Sequence, residues 1–383
     1  MSQAPELEGS ADLPTGAGPA VSHIFDVGAR SITPVILALV AGGLLLLALG
    51  HNPIQFYLDV FRGGIENGAW QDSAIRMAPL LLIAAGLTVI FRANIWNLGY
   101  DGQFLLGAAL VSGWGPSLME KMPKPLAILV LFGVAAAVGA AWTIIPAILK
   151  ARYGTNEIIT TLMMSFIGVD LANILIKGPF QDPTVATPET RVLPFDKMLP
   201  NIPGTRIHIG LIVAFVAIFA VHYLLTRTSF GLRLQILGSN PRAAKHMGVN
   251  LTRVIVVSFL ISGALIGAAS AADILGLWGY ARANWNPAYG DTVIPFVFLA
   301  RLNALAVIPF IAFFSVLATG GDIATQESNL PTDFLLVLVS LILLFMTVIE
   351  YLGRRRALGG SYITPGLKAA ARSPLVRLKG RRA

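Results

Sequence analysis

Residues 125–149 read PLAILVLFGVAAAVGAAWTIIPAIL. No charged side chain interrupts them, and Lys150 and Arg152 follow directly. As a helix the stretch is about 37 Å long, longer than the ~30 Å hydrocarbon core of a bilayer. An uncharged run of that length reads as a membrane span. The whole chain has the same character. Of its 383 residues, 55% are hydrophobic and only 13% charged, and the mean hydropathy is +0.71. Soluble domains carry about 25% charged residues. The composition therefore excludes a cytosolic enzyme, a disordered protein and a nucleic-acid binder. It predicts an all-α integral membrane protein.

Working outward from 125–149, apolar runs occur near 31–50, 74–91, 104–114, 156–176, 208–225, 254–275 and 333–350. Two short runs, 292–300 and 304–319, are split by Arg301-Leu302-Asn303. About ten helices cross if both short runs do, and about eight if neither does. Some would be short or broken, as transporters use near a substrate path. Residues 1–29 hold Glu6, Glu8, Asp12 and Asp26 among small residues, without a basic start. They read as a disordered cytoplasmic tail with no signal peptide. The transmembrane domain is expected over 30–352, with a basic cytoplasmic tail at 353–383.

Charge sets the orientation. The net charge is +8, and after Glu350 there are nine basic residues and no acid, which leaves 8 − 9 = −1 for the rest. The excess is a tail suited to anionic lipid headgroups. An even number of crossings with both termini cytoplasmic puts that tail, Lys150, Arg152 and the basic loop 226–253 inside. It puts the Pro-rich connection 177–207 outside, in agreement with the positive-inside rule.

The chain has no cysteine and five scattered histidines, so no metal site or thiol chemistry is expected. It has no phosphate-loop motif, no HExxH and no GxSxG, so no catalytic residue and no cofactor are expected. Active transport would draw on an ion gradient or on another subunit. Among the ionisable residues Asp101, Glu157, Asp170, Asp273, Asp291 and Arg301, most sit at the edges of the expected spans and only Asp170 is clearly interior.

The loop 226–253 is the most informative stretch. Asn240-Pro241 is a helix-start signal, with Asn as cap and Pro at the first helical position, and Gly248 is a stop signal. They predict a short helix over 242–247, either an ordinary loop helix or a knob for a soluble partner. The loop resembles the coupling loop of ABC importer permeases of the ribose and nucleoside type, through Gly238, Asn240, Pro241, Ala243, Ala244 and Gly248. Three further stretches resemble that family in order: Asn97-Leu-Gly-Tyr-Asp-Gly-Gln-Phe-Leu-Leu-Gly-Ala108, Asn156-Glu157-Ile-Ile-Thr-Thr-Leu-Met163, and Ser262-Gly263-Ala-Leu-Ile-Gly267. The likeness covers roughly 75–350, and the long outer connection is most like the nucleoside branch. Ser165 departs from the family's usual Asn. Asp291, Thr292 and Pro295 stand where small or apolar residues are more common, and Ala304 replaces a common Pro.

The resemblance implies a permease subunit in the bacterial plasma membrane. Its cargo would be a nucleoside, nucleobase or simple sugar. It implies an ATP-binding cassette ATPase docked on the coupling loop, a second permease (identical or homologous) and an external substrate-binding protein. ATP would bind the ATPase partner and not this chain. Ala244→Asp is expected to abolish uptake and leave the chain folded. The substrate path is expected to use Asn97, Asp101, Gln103, Thr160, Thr161, Ser165 and Asn173. An uncharged polar substrate would be held there by amides, hydroxyls and aromatic faces. A capped turn explains 97–103 equally well, and helix capping explains Asn156 and Glu157. Gly263 and Gly267 read as helix packing. Two competing readings stay open, an ion-coupled secondary transporter using Asp170 and a permease for branched-chain amino acids.

Overall fold

The computed structural model describes residues 19–331 and 334–357. The basic run from 358 and the first 18 residues lie outside the described part. The helices are α1 (Pro19–Ala48), α2 (Pro53–Ile65), α3 (Ala69–Arg92), α4 (Tyr100–Lys121), α5 (Lys124–Trp142), α6 (Ile144–Tyr153) and α7 (Glu157–Lys177). After the long connection come α8 (Gly210–Arg227), α9 (Ser229–Ser239), α10 (Pro241–His246), α11 (Leu251–Asp273), α12 (Tyr289–Leu299), α13 (Val307–Glu327) and α14 (Phe334–Ala357). A π-helical turn, Ile274–Trp278, extends α11. Two compact units emerge. One is Ala38–Leu343, described below, and the other combines the described parts of 1–37 and 344–383.

Six stretches among the described residues are long and apolar enough to cross a membrane: Pro53–Arg92, Lys124–Tyr153, Glu157–Lys177, Gly210–Arg227, Leu251–Trp278 and Val307–Glu327. Ile32–Ala48, Tyr289–Leu299 and Phe334–Ile349 are shorter apolar helices. The chain is thus an all-helical, multi-pass membrane protein. Two boundaries need correction. Residues 19–29, expected in a disordered tail, are helical, because Pro19 is a favoured first helical residue and no later proline precedes Pro34. At the other end α14 continues to Ala357, past the expected start of the tail at 353, because Gly353 and three arginines do not break a helix already formed.

α3 is the centre of the unit. Its residues from Met77 to Phe91 are buried without interruption, as befits a helix that is apolar all round. α2, α8, α11, α12 and α13 surround it. By contrast α7 and α8 expose large apolar side chains such as Ile174 and Val216, at 64% and 63%.

α5 crosses α11 at a point where only glycine fits. A Cβ on Gly139 would lie 2.9 Å from Gly267 Cα and would clash with the Gly263 carbonyl. Gly267 in turn abuts the backbone of Ala135. Gly263 and Gly267 thus pack a helix crossing, as the small-xxx-small spacing predicts. The single span foreseen over 125–149 is two helices, with a break at Thr143.

The connection 178–209 folds over the end of α11. Thr190, Leu193 and Leu199 donate backbone N–H groups to Ala281, Gly279 and Leu275 at 2.9, 2.9 and 2.8 Å. His208, in this loop and 1% exposed, accepts from the Gly210 N–H at 3.1 Å and lies against Gly276. Burial pushes its imidazole down from 6.5 to about 4. The folded loop therefore keeps His208 neutral, while the unfolded chain takes up a proton below 6.5. Stability from this group is complete above pH 6.5 and is lost as pH falls toward 4, by up to roughly 3 kcal/mol. Thermal melts of the purified protein should show this loss in the wild type. His208→Gln, which cannot titrate, should show a smaller drop between pH 6.5 and 4.

Candidate functional site

Two regions carry function-bearing side chains. The first is the α9–α10 hairpin. Asn240 Oδ1 accepts from the Ala243 N–H at 3.1 Å, Pro241 opens α10, and Gly248 takes φ +76 beyond its end. The cap, the first-turn proline and the left-handed glycine act as the sequence predicts. A Cβ on Gly238 would lie 2.5 Å from the Arg92 carbonyl oxygen, so α9 sits directly on the end of α3. Ala244 is wholly buried. It seats α10 against its own chain, so Ala244→Asp would bury an unpaired carboxylate and test stability, contrary to the expectation above. The exposed residues of the hairpin tip include Pro241, Arg242, Lys245, His246 and Met247.

The second region begins where α3 ends. Residues 93–99 leave helical geometry, with Asn94 at φ 55, and α4 starts at Tyr100. The freed amides find side chains. Asn97 Oδ1 accepts from Gly99 N–H at 3.1 Å, Thr161 Oγ1 accepts from Leu98 N–H at 3.0 Å, and Ser165 Oγ accepts from Gly102 N–H at 3.2 Å. Asn97 and Gln103 also bond each other at 3.0 and 3.2 Å, and Asn97 donates to Ser262 at 3.1 Å. Gly102 has no room for a Cβ against Ser165, eight residues into the 21-residue α7. The start of α4 therefore lies about 12 Å along a spanning helix. Broken backbone at that depth is tolerated only where protein or a water-lined cavity satisfies it.

The expected path residues thus separate into two groups. Asn97, Gln103, Thr161 and Ser165 are buried and hold the break together. Thr160 bonds back to its own helix at Asn156 and Glu157. Asn156 caps α7 through the Ile158 N–H at 3.0 Å, and Glu157 pairs with Lys150 at 2.6 Å. Asp101 is partly open and accepts from Asn286 at 3.0 Å, while Asn173 accepts from the Asn284 N–H at 2.7 Å. Both point to residues 279–291, none of which is among the expected path residues and whose Tyr280, Trp285 and Tyr289 suit a membrane interface by sequence. Trp278, Tyr280, Arg282 and Trp285 line a small open cleft of about 40 Å³ there. Tyr100 donates to Asp291, and Tyr289 donates to Asp273 at 3.3 Å. The arrangement offers aromatic faces, amides and carboxylates to a polar solute.

Residues 71–347 match the family model described as branched-chain amino acid transport system / permease component. The chain belongs to this family. It is a permease component of an ABC transporter and is itself no enzyme; the hydrolysis of ATP falls to a separate ATPase. The glucose ABC transporter permease protein TsgB13 of Haloferax volcanii is 31% identical, over 85% of this chain and 88% of its own length. The guanosine ABC transporter permease protein NupP of Bacillus subtilis is 30% identical, over 82% and 90%. A second guanosine permease protein of the same organism, NupQ, is 22% identical over 73% and 90%. Two different permease relatives thus occur in one organism.

Proposed function

We propose that the chain forms half of the membrane path of an ABC importer for a nucleoside, nucleobase or simple sugar. The observation that carries this reading is likeness over nearly the full length to permeases named for guanosine and glucose. The amino-acid name of the family reflects its breadth, and the individual relatives support a neutral hydroxylated cargo. About ten helices cross a bacterial plasma membrane with both termini in the cytoplasm. The α9–α10 hairpin is the foot on which the ATPase acts. Its exposed basic tip and its seat on the end of α3 support that role. Motion of the hairpin reaches the broken segment 93–99 through Arg92, whose guanidinium also meets Gln235 at 3.5 Å. A second, homologous permease completes the path, and an external binding protein delivers substrate to the 177–207 connection.

Purification of the tagged chain from native membranes in mild detergent tests the assembly. An ATPase with a phosphate-loop motif and a second permease should co-elute. A chain that purifies alone yet supports uptake without ATP would overturn the reading.

A further inference from the structure

Two stretches of the chain repeat one another. Arg92-Ala-Asn-Ile-Trp-Asn-Leu-Gly-Tyr100-Asp101 and Arg282-Ala-Asn-Trp-Asn-Pro-Ala-Tyr289-Gly-Asp291 share Arg-Ala-Asn, then Trp-Asn, then Tyr three residues further on, then a nearby Asp. The backbone repeats as well. Asn94 and Asn284 take φ 55 and φ 60. Asn97 and Asn286 each accept from the N–H two residues ahead, at 3.1 and 2.9 Å. Each tyrosine then opens a helix, α4 or α12.

The two copies run in opposite senses. The first follows the end of α3 beside the α9–α10 hairpin, and α4 then leads to the 178–209 loop, where Gly113 meets Phe180 and Gly115 meets Leu193. The second descends from that loop, and α12 then leads back to the end of α3, where Phe298 stacks on Phe91 at 5.1 Å. The helix starts meet, with Gly290 packed on the Tyr100 ring. The polar groups are exchanged between copies: Tyr100 donates to Asp291, and Asn286 donates to Asp101. Paired broken helices of opposite sense mark a mid-membrane site in other transporter folds.

Two further observations point to a solute. Asp273 is 1% exposed, and its Oδ2 has no partner although Tyr289 of the second copy holds its Oδ1. In addition, Asp170, Asn286 and Asp291 are exposed at the depth of the break, where lipid would penalise them. That face is therefore wet. The nearby bases are Arg282 on the cleft wall, Lys177, which bonds Asn284, and Arg76, which pairs with Asp322 at 2.6 Å and acts on Asp273, against Asp101, Asp170, Asp273 and Asp291.

We propose that residues 92–101 and 282–291 are the two halves of one inverted repeat and together form the binding site for a neutral, hydroxyl-bearing ring. Trp278, Tyr280 and Trp285 supply faces for the ring. Asp101, Asn286 and Asp291 accept its hydroxyl or N–H groups. The surplus of carboxylates rejects phosphorylated or carboxylate forms. The inference rests on the importer reading above and sharpens its substrate class.

The chain has no native cysteine, so single cysteines report on it without background. Asn286→Cys keeps every acid, and Asp170→Cys places a second reporter on α7. The intact complex is treated with a cationic and an anionic methanethiosulfonate, and the modification is read as a mass shift on this chain. Both cysteines should react, the cationic reagent about tenfold faster or more. Asp101→Asn in the Asn286→Cys background should reduce that preference. Val216→Cys, on the apolar exposed face of α8, should stay unmodified. Failure of both reporters to react, or equal rates for the two reagents, would overturn the site. Labelling requires no transport, so this outcome is separate from failure of the importer reading, which uptake and co-purification decide.

Discussion

Gly139→Val should yield a chain that inserts but does not hold its fold in detergent. The α5–α11 crossing brings Gly139, Gly263 and Gly267 backbone to backbone, and the atoms a new Cβ would meet are main-chain atoms of the opposite helix. Those atoms cannot rotate away, so the helices must separate, at a cost on the order of 3 kcal/mol. Separation also loosens the wall against which the start of α4 packs, because Gly107 of α4 meets Gly267 and Ser270. The control lies on the same helix. A Cβ on Gly133 meets nothing within 4 Å, so Gly133→Val should melt close to wild type. Thermal unfolding of the two variants in one detergent compares them directly. Equal melting points would show that the crossing does not carry the stability assigned to it.

Arg242→Glu with Met247→Asp should leave the permease folded and reduce ATP-driven uptake about tenfold or more, the effect of losing ~1.4 kcal/mol or more at a docking surface. Both side chains are exposed at the hairpin tip, Met247 at 67%. Neither makes a hydrogen bond or ion pair within the described chain that the fold would lose. The acid substitutions reverse the tip's charge and remove its apolar point. Co-purification of the ATPase should fall in parallel, while the melting curve stays in place. Wild-type uptake by the double variant would remove the hairpin from the coupling role. Ala244→Asp makes an instructive contrast, because its damage should appear in the melting curve first.

Much of this was legible in the residues. The spans follow from long uncharged runs, and α10 follows from Asn240, Pro241 and Gly248, each of which acts through local backbone geometry. Gly263 and Gly267 announced a close helix approach but not the partner, since Gly139 lies more than a hundred residues away in sequence. The break at 93–99 was legible as a polar interruption. Its bonds to Thr161 and Ser165 were not, because they depend on how α4 meets α7. The second broken segment escaped notice for another reason. Its Trp278, Trp285 and Tyr289 read equally well as interface aromatics, and a one-residue offset after Asn94 and Asn284 hides the repeat from a fixed-spacing comparison. Asp170 stood out because it interrupts an apolar span, yet it lies exposed on α7, and among the described residues the most deeply buried carboxylate is Asp273.

The central claim is that this permease carries a neutral hydroxylated solute at the expense of ATP hydrolysed by its partner. The most direct measurement is uptake of radiolabelled guanosine, glucose and leucine into liposomes holding the complete complex and its binding protein, with and without enclosed Mg-ATP. The account predicts ATP-dependent accumulation of guanosine or glucose and none of leucine. Accumulation of leucine alone, or of any of the three under a proton gradient without ATP, would contradict it.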